Sequence, residues 1–419
     1  MKNTFLITCV FFTFMLLPSH KAFSYVLSPE AEVTLLTASP GDELYSVFGH
    51  SAVRINDPAN AIDVVFNYGT FDFNTPNFYM QFVRGKLLYK LSTSSMEHFV
   101  PEYYMEGRAL YEQVLNLTQP QKQLVFDFLL WNSEPENAYY HYDFFYDNCA
   151  TRIRDLVDDL LHPQWAHDEV IGSEVMGSVR SKLNYEYDYQ PDSKPKRSFR
   201  DLLQPFLLTM PWSTFGIDIA LGLPADKIAD PYNYMYLPDE MLIAFARAKH
   251  QDGSPLVSSY RIILSKELPL SPAGFLTPLK VFWFLFVMAC LSFLSPRFSR
   301  LFDLAFFNTL GITGLVILFL WFLSDHITTK ANLNILWAIP THLYYIWVAS
   351  YYRNRTASIL YFRIVFAISL ILLVFWPLIP QGFNAAFFPI ILTVLIKSLP
   401  YSFNVPYLSK YLTNKGKTA

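Results

Sequence analysis

Three side chains in this chain have the types and the setting to do chemistry together: Cys149, His50 and Asn67. Cys149 lies in "FFYDNCATRIRDLVDDLL", residues 144 to 161, where an extended aromatic stretch runs into a helix. Asp147 or Asn148 suits the N-cap, and apolar positions 153, 156, 157, 160 and 161 form the buried stripe. A thiol at a helix N-terminus feels the positive end of the backbone dipoles, which favours the thiolate. A nucleophilic thiol also needs a neighbouring base. His50 opens "HSAVRIN", and "AIDVVFNYGTF" follows; both are rich in β-branched and aromatic residues and read as strands. Between them "DPAN" is a turn signal. A turn centred between Pro58 and Ala59 pairs residues that sum to 117, which sets His50 opposite Asn67. A one-residue slip would bring Phe66 or Tyr68 there instead.

Other uses of these residues stay open on spacing alone. Cys149 reads equally as a small buried hydrophobe and His50 as a satisfied core histidine. His98, His141 and His162 are further histidines in this half, and His141 is the main rival base. A metal site would need three or four converging ligands, and one Cys with His at no recognisable spacing does not suggest one. There is no Gly-rich phosphate loop and no G-x-S-x-G elbow.

The elements that must hold this trio belong to a chain of two characters. It has 419 residues, 52% of them hydrophobic, and a net charge of -3. That is apolar for a soluble protein of this length and offers no basic footprint for nucleic acid. The N-terminus has Lys2, an apolar core over 4–17 and "AFS" before Tyr25, which reads as a signal peptide over 1–24; a short uncleaved anchor is the alternative. Cys9 lies in that segment and Cys290 in an apolar one, so Cys149 has no disulfide partner in the exported part. Residues 25–165 read as the catalytic core and 166–270 as an extension, with "SKPKRSFR", 193–200, as a solvated loop or a lipid-headgroup contact. In the extension, the apolar pattern of 210–242 suits docking on a membrane.

The apolar half, 275–402, offers five candidate spans: 275–295, 301–323, 334–352, 359–380 and 384–402. With the N-terminal half outside, Arg297, Arg300, Arg353, Arg355 and the lysines of a tail over 403–419 all fall inside, as the positive-inside rule requires. His342 is the clear intramembrane titratable group, read either as functional or as a helix-to-helix hydrogen bond. Lys397 is expected to snorkel to an interface.

A His opening a strand, a polar residue on the next strand and then "NC" opening a helix resemble the circularly permuted papain-like order. That order occurs in the NlpC/P60-like and lecithin:retinol-acyltransferase-like groups. "SVFGHSAVRIND", "NYGTFDF", "YDNCATRIRD", "PWSTFGIDIALGLPAD" and "NLNILWAIPTHL" together resemble the family with the Lnb N-terminal periplasmic domain. The resemblance covers nearly the whole chain after the signal peptide. It implies an α+β permuted papain-like (NlpC/P60-like) periplasmic domain, then an α-helical membrane bundle of about five spans in a bacterial inner membrane. It also implies an enzyme moving a fatty acyl chain from a phospholipid to the N-terminal amine of a diacylglyceryl lipoprotein, with no cofactor or metal. Cys149 would be the nucleophile and His50 the base; Asn67 as orienting residue is the inference from the hairpin. Candidate substrate-binding residues are Asn148, Tyr68, Tyr146, Arg152 and His342. The aromatic run Tyr139, Tyr140, Tyr142, Phe144, Phe145 and Tyr146 suits an acyl groove and plain core equally. Hydrolysis of a phospholipid or thioester, cell-wall peptide cleavage and a non-enzymatic assembly role are the alternatives.

Overall fold

The computed structural model describes residues 25–161, 196–250, 252–265, 274–351 and 356–403. The expected signal peptide, His162, the start of the basic run and the tail beyond 403 lie outside those residues. The N-terminal half is built on a seven-stranded sheet in the order β6-β4-β3-β2-β1-β5-β7, with every described pairing antiparallel. The strands are β1 Glu32–Ala38, β2 His50–Asp57, β3 Ile62–Thr70, β4 Leu88–Ser94, β5 Leu110–Leu115, β6 Tyr139–His141 and β7 Val257–Leu264. Between them run α1 Phe78–Val83, α2 Met96–Met105, α3 Gln119–Ser133, α4 Cys149–Leu161, α5 Phe199–Leu203, α6 Pro211–Ala220, α7 Pro231–Tyr234 and α8 Pro238–Arg247.

Alternation along the strands builds two cores. Leu35, Val53, Ile55, Phe66 and Tyr68 pack with α3, α4 and α8. Leu36, Ala38, Ala52 and Val65 pack on the other side with Met96, Phe99 and Tyr103 of α2. Where it is described, the extension expected over 166–270 is not a free-standing domain. β7 completes the sheet beside β5, and Met241 and Phe245 of α8 enter the first core. The basic run is not wholly a solvated loop either: Arg200 is buried.

The hairpin register differs from expectation. Asp57 pairs with Ile62 and Val53 with Phe66, so paired residues sum to 119. Pro58–Asn60 form a 3-10 turn closed by Ala61 in the left-handed region, which makes a four-residue loop in place of a two-residue turn. The shift is by two, so His50 and Asn67 keep a common face but stand diagonally.

The C-terminal half contains α9 Pro278–Ser292, α10 Pro296–Leu323, α11 His342–Tyr351, α12 Thr356–Val374 and α13 Phe387–Ser402. An apolar helix occurs in each of the five expected regions. Two of them, α10 and α12, are long and apolar enough to cross a membrane; α9 and α13 are shorter apolar helices. In the third region, one 3-10 turn, Leu333–Leu336, and Pro340 precede α11, and the helix starts only at His342. Lys397 does not snorkel. It is fully buried, 2.8 Å from Asp303 and hydrogen-bonded to Ser292 and Ser299, while Tyr401 donates to Asp303. A buried partner at that depth removes the reason to reach for water.

Candidate active site

The site forms where β2 and α4 both begin. The chain enters β2 through Gly49, whose φ of +82° is a conformation that favours glycine. It enters α4 through a tight loop in which the Asp143 carboxylate accepts from the N–H groups of Phe145 and Tyr146. Asn148, rather than Asp147, caps the helix: its Oδ1 accepts from the N–H groups of Ala150 and Thr151, each at 2.9 Å. Its amide nitrogen donates to the carbonyls of Phe144 and Tyr236, which fixes the loop from both sides. Cys149 is thus the first helical residue. The cap takes up the next two amides, and the Asn148 N–H itself donates to the Thr151 hydroxyl at 2.7 Å.

His50 lies 2.6 Å from the Asn67 oxygen through Nε2. With that oxygen as acceptor, Nε2 carries the proton and Nδ1 is the nitrogen left for the sulfur. Burial would push the Cys149 thiol up. The His50 charge, its hydrogen bond and the N–H groups of Ser51 and Ala150 outweigh burial, so the thiol sits below its ordinary value. Burial likewise would lower His50, but the Cys149 charge and the bonds to Cys149 and Asn67 raise it, against an opposing push from Arg108. The contacts push the pair towards thiolate and imidazolium, with the ring held by an amide oxygen. A thiol so paired has the chemistry that a nucleophile with its proton carrier needs.

The other candidates take different places. Asn148 is buried and spends its side chain on the cap. Tyr68 is buried and donates to Asn132 at 2.6 Å. Arg152 makes a two-pronged bond to Asp147 and lies 3.8 Å from the centre of the Tyr140 ring, beside the site. Tyr146 packs near Phe199. His141 is exposed on edge strand β6, and His98 bonds Ser95, so neither displaces His50. His342 is far along the chain in the apolar half, fully buried, with Nδ1 2.7 Å from the Tyr361 hydroxyl and Nε2 3.3 Å from the Trp337 carbonyl. Both nitrogens are occupied, which matches a helix-to-helix hydrogen bond. Among the described residues no group of three His, Cys, Asp or Glu is placed to hold a metal ion. Sequence reasoning missed the Ser51 amide and Arg108. A backbone donor has no residue signature, and Arg108 is distant in sequence.

The family model described as the Lnb N-terminal periplasmic domain matches residues 24–182, and the one described as the Lnb transmembrane domain matches residues 271–405. The chain belongs to the Lnb family. It is a membrane protein with a periplasmic N-terminal domain. No curated protein and no solved structure matches it. In this Lnb chain Cys149, His50 and Asn67 all fall in the periplasmic domain, and His342 falls in the transmembrane domain.

Proposed function

We propose that this chain is a cysteine-dependent acyltransferase of the bacterial inner membrane. It takes a fatty acyl chain from a phospholipid and passes it to the N-terminal amine of a diacylglyceryl lipoprotein. The observation that carries the reading is the Cys149–His50–Asn67 chain of contacts at a helix start, with Cys149 buried and His50 and Asn67 half-buried. The Lnb match, which ties the chain to lipoprotein processing in a membrane, supports the substrate class. The order His, Asn, Cys along the chain supports a permuted papain-like domain, and the five apolar helices support a multi-pass bundle.

In the first half-reaction the Cys149 thiolate attacks an ester carbonyl carbon of the phospholipid. Cys149 is the first residue of its helix, so its N–H has no acceptor within the helix, and that donor would meet the developing oxyanion. The ester C–O bond breaks, and the leaving alkoxide takes the proton held on His50. A lysophospholipid departs and an acyl thioester remains. In the second half-reaction the neutral α-amine of the lipoprotein attacks the thioester, whose C–S bond breaks. His50 accepts the amine proton, and the products are an amide and the restored thiolate. An α-amine with an ordinary value near 8 has a useful neutral fraction at pH 7.

Intact mass of the purified full chain after incubation with phosphatidylethanolamine vesicles tests this directly. The wild type is expected to gain a hydroxylamine-labile acyl mass, and Cys149→Ala is expected to gain none. A diacylated lipopeptide should then discharge the adduct as a triacylated product. Discharge to free fatty acid with the lipopeptide unchanged would make the protein a hydrolase. No adduct on rapid quenching would end the covalent reading.

A further inference from the structure

Between β3 and β4 the chain leaves the sheet for residues 71–87 and carries α1. The outer side of this excursion is apolar and exposed: Tyr79 is 77% exposed, Phe73 65%, Met80 54% and Phe82 48%. Contacts with the transmembrane half say what faces it. The Asp325 N–H donates to the Arg84 carbonyl at 2.9 Å, and His326 Nε2 lies 2.9 Å from the Phe82 carbonyl. Both partners follow directly on α10, which ends at Leu323. At 1.5 Å per residue its 28 residues reach about 42 Å, longer than a hydrocarbon core of about 30 Å. The α10 end that touches the periplasmic domain therefore stands at the outer headgroup level. Exposed Phe322, Leu323 and Ile327 continue the apolar surface of α1. Arg84 brings a cation to that level, and Lys86 in the same turn brings a second, 3.9 Å from the Asp325 carboxylate.

Inward, the same loop leads to the nucleophile through rings. Phe73 packs on Phe71 and on Phe78, each at 4.9 Å, Phe71 on Tyr89 at 5.2 Å, and Tyr89 stacks on Tyr142 at 4.3 Å. Tyr89 and Cys149 belong to one packed cluster, against which Phe71, Phe78 and Tyr142 lean half-buried. We propose that α1 and its flanks sit in the outer leaflet, and that this row of rings lines the route by which one acyl chain of a phospholipid reaches Cys149. The second part rests on the acyl-transfer reading; the membrane seat does not. A flexible chain can slide along stacked rings without a polar partner, whereas the glycerol and phosphate would stay with Arg84 and Lys86 at the surface.

The full chain in phosphatidylethanolamine vesicles carrying a phosphatidylethanolamine with a diazirine in one acyl chain supplies the test. After illumination, cross-links are expected on the 71–87 peptide and on the peptide holding Tyr142. The triple variant Tyr79→Ser, Met80→Ser, Phe82→Ser should lose about tenfold in acylation of Cys149 from vesicle lipid. Alkylation of Cys149 by soluble iodoacetamide should be unchanged, which shows an intact site. Cross-links confined to α9–α13, or unaltered lipid acylation in the triple variant, would overturn the membrane seat, and a Tyr142 peptide that stays free of cross-links while 71–87 is labelled would overturn the route. If the wild type never forms an adduct, the acyl-transfer reading and the route fall together, while cross-links at 71–87 still decide the seat.

Discussion

Cys149 and His50 each hold the other's charge in a buried setting that alone would favour neither, and the consequence is a pH profile with a definite sign. As pH falls through the lowered value of Cys149, the thiolate is protonated and reactivity is lost. As pH rises through the raised value of His50, the imidazolium is lost; alkylation continues, but the proton for the leaving group goes. In wild type the midpoint of iodoacetamide alkylation against pH should therefore lie below the ordinary thiol value of about 8.5. His50→Ala removes the largest opposing influence and leaves burial in charge, so the midpoint should climb past that value. Asn67→Ala keeps the charge but frees the ring, and a smaller upward shift is expected. Superimposable curves for wild type and His50→Ala would refute the ion pair. At this scale the trio was legible because a lone cysteine, a histidine opening a strand and "NYG" are distinctive in sequence. The amide of Ser51 was not, since any residue there would supply it.

The start of α4 shows what one element contributes to that pair. Asn148 satisfies two helical amides and two loop carbonyls at once, inside the protein. Asn148→Ala should cost about 1–2 kcal/mol for the cap, and the stranded carbonyls of Phe144 and Tyr236 add to it. A lowered unfolding temperature with a raised alkylation midpoint is expected, because a frayed first turn no longer presents its amides to sulfur. A drop in temperature with no change at the thiol would make the cap purely structural. The helix and its cap could be read from "YDNCATRIRDLVDDLL", where capping type and apolar stripe agree. The hairpin could be read only in part. Strand type and shared face followed from alternation, but the register depended on how Pro58 to Ala61 turn, and a 3-10 turn looks like a β-turn in sequence. In the apolar half, composition marked the helices and not their lengths. Lys397 misled because its partner, Asp303, is 94 residues away, a distance no local pattern spans.

Across the whole molecule, the periplasmic domain is fastened to the transmembrane domain by a buried polar junction with Arg200 at its centre. The guanidinium binds Asp218 and Asp226, both at 2.8 Å, and the backbone carbonyls of Leu221 and Gly222. Asp218 accepts from Asn384, and Asp226 accepts from the Gly382 N–H, both in the segment before α13. Removing one member of a buried pair strands the other, a loss of about 3–5 kcal/mol. Arg200→Met should therefore lower the unfolding temperature and increase amide exchange across 379–386. Gly222 locks the same junction by shape. Its N–H donates to the Thr328 carbonyl at 2.8 Å, and a methyl group there would overlap the Lys330 carbonyl. Gly216, in the middle of α6, has nothing within 4 Å of its would-be methyl. Gly222→Ala should destabilise the protein and slow acylation from vesicle lipid while soluble iodoacetamide still reaches Cys149. Gly216→Ala should stabilise it by about 0.5–1 kcal/mol through the helix backbone. The contrast isolates the junction, since both changes add one carbon to the same short stretch of chain. Equal lipid acylation in the two variants would mean that the periplasmic site does not need to be held at a fixed height over the membrane, and the seat proposed for α1 would lose its anchor.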